Sequence, residues 1–157
     1  MATAIQRAAF DAALDFARRD VRGGALPIVH HQSPADLLID VKMRTETSRL
    51  LTWKAMHYLE NGPVAAGDDE GAALARLELA LAAKVYTTDA AVQSVLDAMK
   101  VVGMRSYNAE DMPFARLLND AACLPLFDGG NVGVRRRQIQ KIFAGAGYEP
   151  WAASLGA

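Results

Sequence analysis

The sequence predicts an all-α protein, an up-and-down bundle organised by two long helices. Three observations carry that expectation. Apolar and small residues recur at intervals of three and four along most of the 157 residues, no stretch alternates as a half-buried strand would, and Gly- or Pro-containing breaks separate the periodic segments. No internal repeat is present. A chain of this length can bury roughly 70% of its unfolded surface, so a single domain with its own core is expected.

The first helix is expected from about Ile5 to Arg22, with Ile5, Ala8, Ala9, Ala12, Ala13, Phe16 and Ala17 on one face and Asp11, Asp15, Arg18 and Arg19 on the other. Gly23-Gly24 breaks it, and Pro27 keeps the connection to Gln32 irregular. His30 and His31 read as loop or packing residues, because no acidic partner at ligand spacing accompanies them. Ser33-Pro34-Ala35-Asp36 reads as a helix start with Ser33 as its cap. The long helix that follows carries a stripe through Leu37, Leu38, Val41, Thr45, Ser48, Leu51, Ala55 and Leu59, and Asn61-Gly62-Pro63 ends it. Residues 64–71 read as an exposed connection, within which Asp68 or Asp69 can cap a second long helix from about Ala72 to Val102. Two long helices joined by a short loop pack antiparallel. Gly103 is a natural end for the second. Pro113 opens a short helix through Ala122, and a last helix ends near Phe143, closed by Gly145 and Gly147.

Charge and composition narrow the function. A net charge of −1 gives no reason to expect a nucleic-acid or membrane-surface partner. No apolar run reaches the ~18 residues of a membrane span, the first residues lack a signal-peptide core, and Ser154-Leu155-Gly156-Ala157 is not a peroxisomal address, so a cytoplasmic location is expected. The single cysteine, Cys123, excludes an internal disulfide, suits a reducing compartment, and reads as a packed core thiol. No metal site is expected.

Chemistry concentrates in Leu124-Pro125-Leu126-Phe127-Asp128-Gly129-Gly130-Asn131-Val132-Gly133-Val134-Arg135-Arg136-Arg137. Pro125 and the glycines break the preceding helix, which puts Asp128 at or just before a helix N-terminus, where free amides favour a carboxylate. Arg135 lies seven residues on, about two turns, so its guanidinium can reach back to the acid. Asp128 and Arg135 are therefore the candidate catalytic pair. A capping aspartate with a surface arginine is the other reading of the same residues. Three successive arginines spread around a helix, so Arg135, Arg136 and Arg137 cannot all meet one ligand.

From Phe10 to Trp151 the sequence resembles the C-terminal helical domain of the acyl-CoA dehydrogenase superfamily of flavoenzymes. Those enzymes carry a Glu-Gly-Thr-(Ser/Asn)-x-x-x-Arg motif whose glutamate is often the base. Here that frame reads Asp128-Gly129-Gly130-Asn131-Val132-Gly133-Val134-Arg135, and the shorter acid and second glycine match the superfamily's nitroalkane oxidase branch, as does the Tyr148-Glu149-Pro150-Trp151 tail. The resemblance implies FAD as cofactor. Its phosphates would meet the Arg-x-x-Phe-Gly-x-Pro-(Ile/Leu)-x-x-x-Gln element, of which Pro27-Ile28 and Gln32 are in frame, while Arg22 is one position out of register and Gly24-Ala25 replaces Phe-Gly. A second element, Gln-x-x-Gly-Gly-x-Gly-Tyr, corresponds to Lys100-Val101-Val102-Gly103-Met104-Arg105-Ser106-Tyr107. Gly103 and Tyr107 match it; Lys100 replaces the glutamine, and Met104 and Ser106 replace glycines.

The implied cofactor contacts are thus Arg22, Gln32, Lys100, Gly103 and Met104, with Gly130 and Asn131 of the acid-bearing turn. The implied substrate is a small nitroalkane, an acyl thioester being the alternative, and the implied assembly is a homotetramer in which cofactor contacts cross subunits. Residues 1–157 correspond to the C-terminal bundle alone, without the family's N-terminal helical and middle β domains, so this chain by itself is not expected to be active. A complementing chain, or a bundle serving as an assembly module, are the remaining readings.

Overall fold

The structure, a computed structural model, describes residues 1–62 and 70–151. Pro63, the 64–69 connection with Asp68 and Asp69, and the Ser154–Ala157 end lie outside the described residues. The elements are α1 (Ala2–Arg19), a 3-10 turn (Ile28–His30), α2 (Gln32–Asn61), α3 (Glu70–Arg76), α4 (Glu78–Val102), a second 3-10 turn (Gly103–Tyr107), α5 (Phe114–Cys123), a π-helical turn (Gly130–Arg135) and α6 (Arg136–Phe143). Among the described residues there is no strand, and no helix is long and apolar enough to cross a membrane.

Side-chain links give the directions. Arg44 on α2 meets Asp97 on α4 at 2.6 Å, and Arg76 on α3 donates to the Leu59 carbonyl at 2.5 Å. Rising numbers on α2 thus meet falling numbers along α3 and α4, as an antiparallel pair requires. On α1, Gln6 donates to the Thr87 carbonyl at 3.2 Å, and the loop residue Arg22 just beyond α1 donates to the Val102 carbonyl at 2.7 Å, so α1 runs parallel to α4. The core lies where α1, α4 and α5 meet, from Ile5, Ala9, Ala13 and Phe16 through Ala91, Val95 and Ala98 to Phe114, Leu117 and Ala121. Phe114 is fully enclosed, a burial that contributes about 2–3 kcal/mol. Gln6 is equally enclosed, its amide also donating to Ser48 Oγ at 3.0 Å, so one polar seat joins α1, α2 and α4.

Several expectations are corrected. Helix α1 ends at Arg19, not Arg22, because the Asp20 carboxylate accepts the Arg22 backbone N–H at 2.9 Å and turns the chain out of the helix. Helix α2 starts at Gln32 with His31 before it, not with a Ser33 cap. The Ala35 N–H bonds to the His31 carbonyl at 3.2 Å and encloses Ser33 within the first turn. The second long helix is broken at Leu77, whose N–H bonds three residues back to the Leu74 carbonyl at 2.9 Å and separates α3 from α4. Cys123 is exposed, not a core thiol, since the buried side of α5 follows Phe114, Leu117 and Ala121 and Cys123 points away from it.

Candidate active site

The Asp128 turn is built by backbone conformations that few residues accept. Asp128, Gly129 and Gly130 have φ of 54°, 83° and 69°, three left-handed residues in succession. Two of them are glycine, which explains physically why a second glycine follows the acid. Asp128 itself is held in a region costly for an L residue, and such strain persists only where its surroundings over-determine it.

Those surroundings are visible. Arg135 folds back so that Nη2 donates to the Asp128 carboxylate at 2.5 Å and to the Asp128 carbonyl at 2.7 Å, while Nη1 donates to Gln138 Oε1 at 2.9 Å. Its side chain is only 18% exposed against 63% for Asp128, so a fixed, mostly covered cation serves an accessible acid. The wide winding of residues 130–135 delivers the guanidinium. Here the Arg136 N–H bonds five residues back to the Asn131 carbonyl, where the sequence predicted ordinary α-helix. Leu126, Phe127 and Val132 lie exposed around the turn and give the acid an apolar rim.

Helix α4 holds the turn from below through residues that the sequence reading missed. Asn131 is 2% exposed, and its amide donates to Thr88 Oγ1 at 2.9 Å and Asp89 Oδ1 at 2.8 Å. Lys84 Nζ donates to Asn131 Oδ1 at 2.7 Å and to the Phe127 carbonyl at 3.0 Å. Burial and the Arg135 charge lower the Lys84 pKa, against the opposing pull of Asp128 and Asp89. A lysine in register with Leu81 and Thr88 on the core-facing stripe was the signal available in the sequence. The Asn131 side chain, expected as a cofactor contact, is instead consumed in seating the turn.

The remaining predicted cofactor residues gather at the other end of α4. Nineteen residues separate Lys84 from Gly103, about 28 Å at helical rise. Lys100 and Met104 are exposed there, and Gln32 is exposed at the start of the antiparallel α2. Arg22 has another employment: Nη1 and Nη2 donate to the Val102 and Val101 carbonyls, each at 2.7 Å, and Nε lies 3.1 Å from Asp20. It clamps the last carbonyls of α4, so any phosphate contact from Arg22 would have to use the N–H groups that this clamp leaves over. Gly103 leaves room for that clamp, since a Cβ there would lie 3.1 Å from Arg22 Nη1. Beside it a recess of about 410 Å³ is lined by Phe16, Arg19, Asp20, Arg22, Arg105 and Met112. Its three arginines outnumber the one aspartate, a balance that suits an anionic group such as a diphosphate.

A larger concavity, about 740 Å³, lies between α4 and α6 against Tyr86, Ala90, Ile139 and Phe143, but neither Asp128 nor Arg135 lines it, so the chemistry is not placed there. Among the described residues no three His, Cys, Asp or Glu side chains converge on a metal position.

Residues 1–143 match the family model for the acyl-CoA dehydrogenase C-terminal domain. The chain belongs to that family. Within it, the chain is similar to the nitroalkane oxidases of Fusarium oxysporum, 56% identical, and Podospora anserina, 50% identical, each over 99% of this chain and 34% of the relative. It thus spans about a third of the length of the curated relatives it matches. A solved structure concerning the roles of an aspartate and an arginine, seven positions apart, in the reaction of the flavoprotein nitroalkane oxidase superposes with a TM-score of 0.90 at 54% identity, over 99% of this chain and 34% of that one. Another, an active-site mutant with that aspartate replaced by asparagine and crystallised with 1-nitrooctane, superposes equally well. Asp128 and Arg135 have the same spacing in this acyl-CoA dehydrogenase-type bundle.

Proposed function

We propose that this chain is the C-terminal part of an FAD-dependent nitroalkane oxidase, with Asp128 as the base and Arg135 as its charge partner. The observation that carries the reading is the Asp128–Arg135 contact at 2.5 Å on a strained, buttressed turn, together with the likeness to nitroalkane oxidases along nearly the whole chain. The proton next to a nitro group is acidic, and a carboxylate poised within about 3 Å can take it. Arg135 holds the carboxylate in one orientation through a charge-assisted hydrogen bond. The apolar rim keeps water from the acid once the rest of the protein covers it. FAD, when bound, supplies the acceptor for the electron pair that the departing proton leaves behind. For nitroethane the balance is substrate plus O2 plus water giving acetaldehyde, nitrous acid and hydrogen peroxide.

Gln32, Lys100, Gly103 and Met104, with the neighbouring arginines, form the surface that would meet the cofactor's phosphates, and Gly130 lets the turn's backbone approach the cofactor. The two clusters lie about 28 Å apart along α4, too far for one compact site, which supports a shared arrangement in which the phosphate-facing cluster serves a second copy. An exposed apolar stripe on α2 is consistent with a homotetramer: Ile39, Met43, Leu50, Trp53 and Met56 are each more than half exposed.

The experiment is Asp128→Asn in the whole protein. Nitrite release from neutral nitroethane is expected to be abolished, while the preformed nitronate, already lacking its proton, is still oxidised. Full activity of the variant on nitroethane would remove Asp128 from the chemistry. Oxidation of acyl-CoA thioesters without nitrite release would replace the substrate class and leave the fold intact.

A further inference from the structure

Both peptide groups flanking Asp128 are held by cations, and the two cations come from different parts of the fold. Arg135 grips the Asp128 carbonyl at 2.7 Å, which fixes the peptide plane on the C-terminal side. Lys84 grips the Phe127 carbonyl at 3.0 Å, and that carbonyl belongs to the plane whose rotation sets φ of Asp128. The same ammonium holds Asn131 Oδ1 at 2.7 Å, three residues beyond the acid. One nitrogen on α4 therefore ties the turn down on both sides of its strained residue. Without it, the Phe127 carbonyl keeps only a 3.3 Å bond from the Gly130 N–H, and relaxation of Asp128 toward ordinary φ would swing the carboxylate away from Arg135.

We propose that Lys84 is a positioning residue for proton abstraction, locking Asp128 in its left-handed conformation through the Phe127 carbonyl and the Asn131 side chain. This rests on the assignment of Asp128 as base. Lys84 touches neither substrate nor cofactor in this scheme and acts through the geometry and field of the acid. The charged groups around it are Asp128 and Arg135 of the turn, Asp89 on α4, and Arg136 on α6, the last 3.6 Å from Asp89.

The test uses the whole flavoprotein with Lys84→Met, which removes charge and hydrogen bonds, and Lys84→Arg, which keeps the charge. In Lys84→Met, hydrogen exchange across residues 125–135 is expected to rise about tenfold, with the middle of α4 unchanged. The kcat/KM for neutral nitroethane should fall roughly 30-fold or more, mainly in kcat, while oxidation of ethyl nitronate changes less than about threefold. Lys84→Arg should recover most of the rate.

Unchanged exchange in 125–135 would overturn the proposal whatever the reaction proves to be. Equal losses on nitroethane and nitronate would reduce Lys84 to a structural residue and overturn it as well. If exchange rises yet Asp128→Asn still turns over nitroethane, the base assignment falls, and the inference that Lys84 serves proton abstraction falls with it.

Discussion

Asn131→Ala separates two roles for one residue, a cofactor contact and a seat for the turn. Truncation removes three short bonds, from Lys84 at 2.7 Å, to Asp89 at 2.8 Å and to Thr88 at 2.9 Å. Asp89 is exposed and Lys84 half-buried, so water replaces much of what each loses. Thr88 is buried but still donates to the Lys84 backbone carbonyl at 2.7 Å, so its hydroxyl is not orphaned. With about 1 kcal/mol for the Thr88 bond and somewhat less for each re-solvated charged partner, the expected loss is about 2–3 kcal/mol. Urea unfolding of the 157-residue chain measures it as a lower midpoint at unchanged slope. A change below about 0.5 kcal/mol, combined with loss of FAD from the whole protein, would refute this account and return Asn131 to the cofactor.

Three further outcomes can be checked together. Gly103→Ala places a Cβ at φ +76°, 3.1 Å from Arg22 Nη1, and should cost about 1–3 kcal/mol in thermal or chemical unfolding while loosening the end of α4. Asp97 is buried; burial alone would raise its pKa, but hydrogen bonds from Lys100, Gln93 and Arg44 and the Arg44 charge hold it below the ordinary carboxylate value. Its contribution to stability is therefore present above the unfolded pKa of about 3.9 and lost as pH falls through the folded one, so Asp97→Asn should flatten the acid limb of a stability-against-pH curve and lower stability at pH 7 by ~2 kcal/mol. Arg135→Lys keeps the charge, yet one ammonium cannot span the Asp128 carbonyl, its carboxylate and Gln138, so nitrite release should fall about tenfold, short of the Asp128→Asn loss.

The fold was legible because its signals are local and repeated. The α1 stripe needs only 3.6-residue spacing, and Gly62, Gly103 and Pro113 each stand at a real helix end. The acid and its arginine were legible for the same reason, two turns of separation in one segment. What escaped depends on partners distant in sequence or on small differences in winding. The break at Leu77 leaves the apolar spacing intact on both sides, and a six-residue π turn rich in glycine has too few side chains to show its period. Arg22 and Asn131 were assigned by family frame, but each makes its principal bonds across the bundle, to Val101 and Val102 and to Thr88 and Asp89. Cys123 was misplaced because an apolar neighbourhood in sequence says little about which side of α5 a residue occupies.

The enclosed amide of Gln6 has a consequence for how the bundle finds its alignment. Much of the interior is alanine, with Ala9, Ala13 and Ala17 on α1 at four-residue intervals and Ala91 and Ala98 on α4, all at 0% exposure. Flat rows of methyl groups distinguish poorly between one axial alignment and another displaced by a helical turn of about 5.4 Å. Gln6 distinguishes them sharply, since a slipped helix would strand its amide away from Ser48 and the Thr87 carbonyl at a cost of about 1–3 kcal/mol. It works as an index mark on an otherwise smooth scale. Gln6→Leu should therefore leave the unfolding midpoint nearly unchanged but split the NMR amide signals of α1 and of Thr87 into more than one set. A single sharp set would show that the alanine rows align themselves.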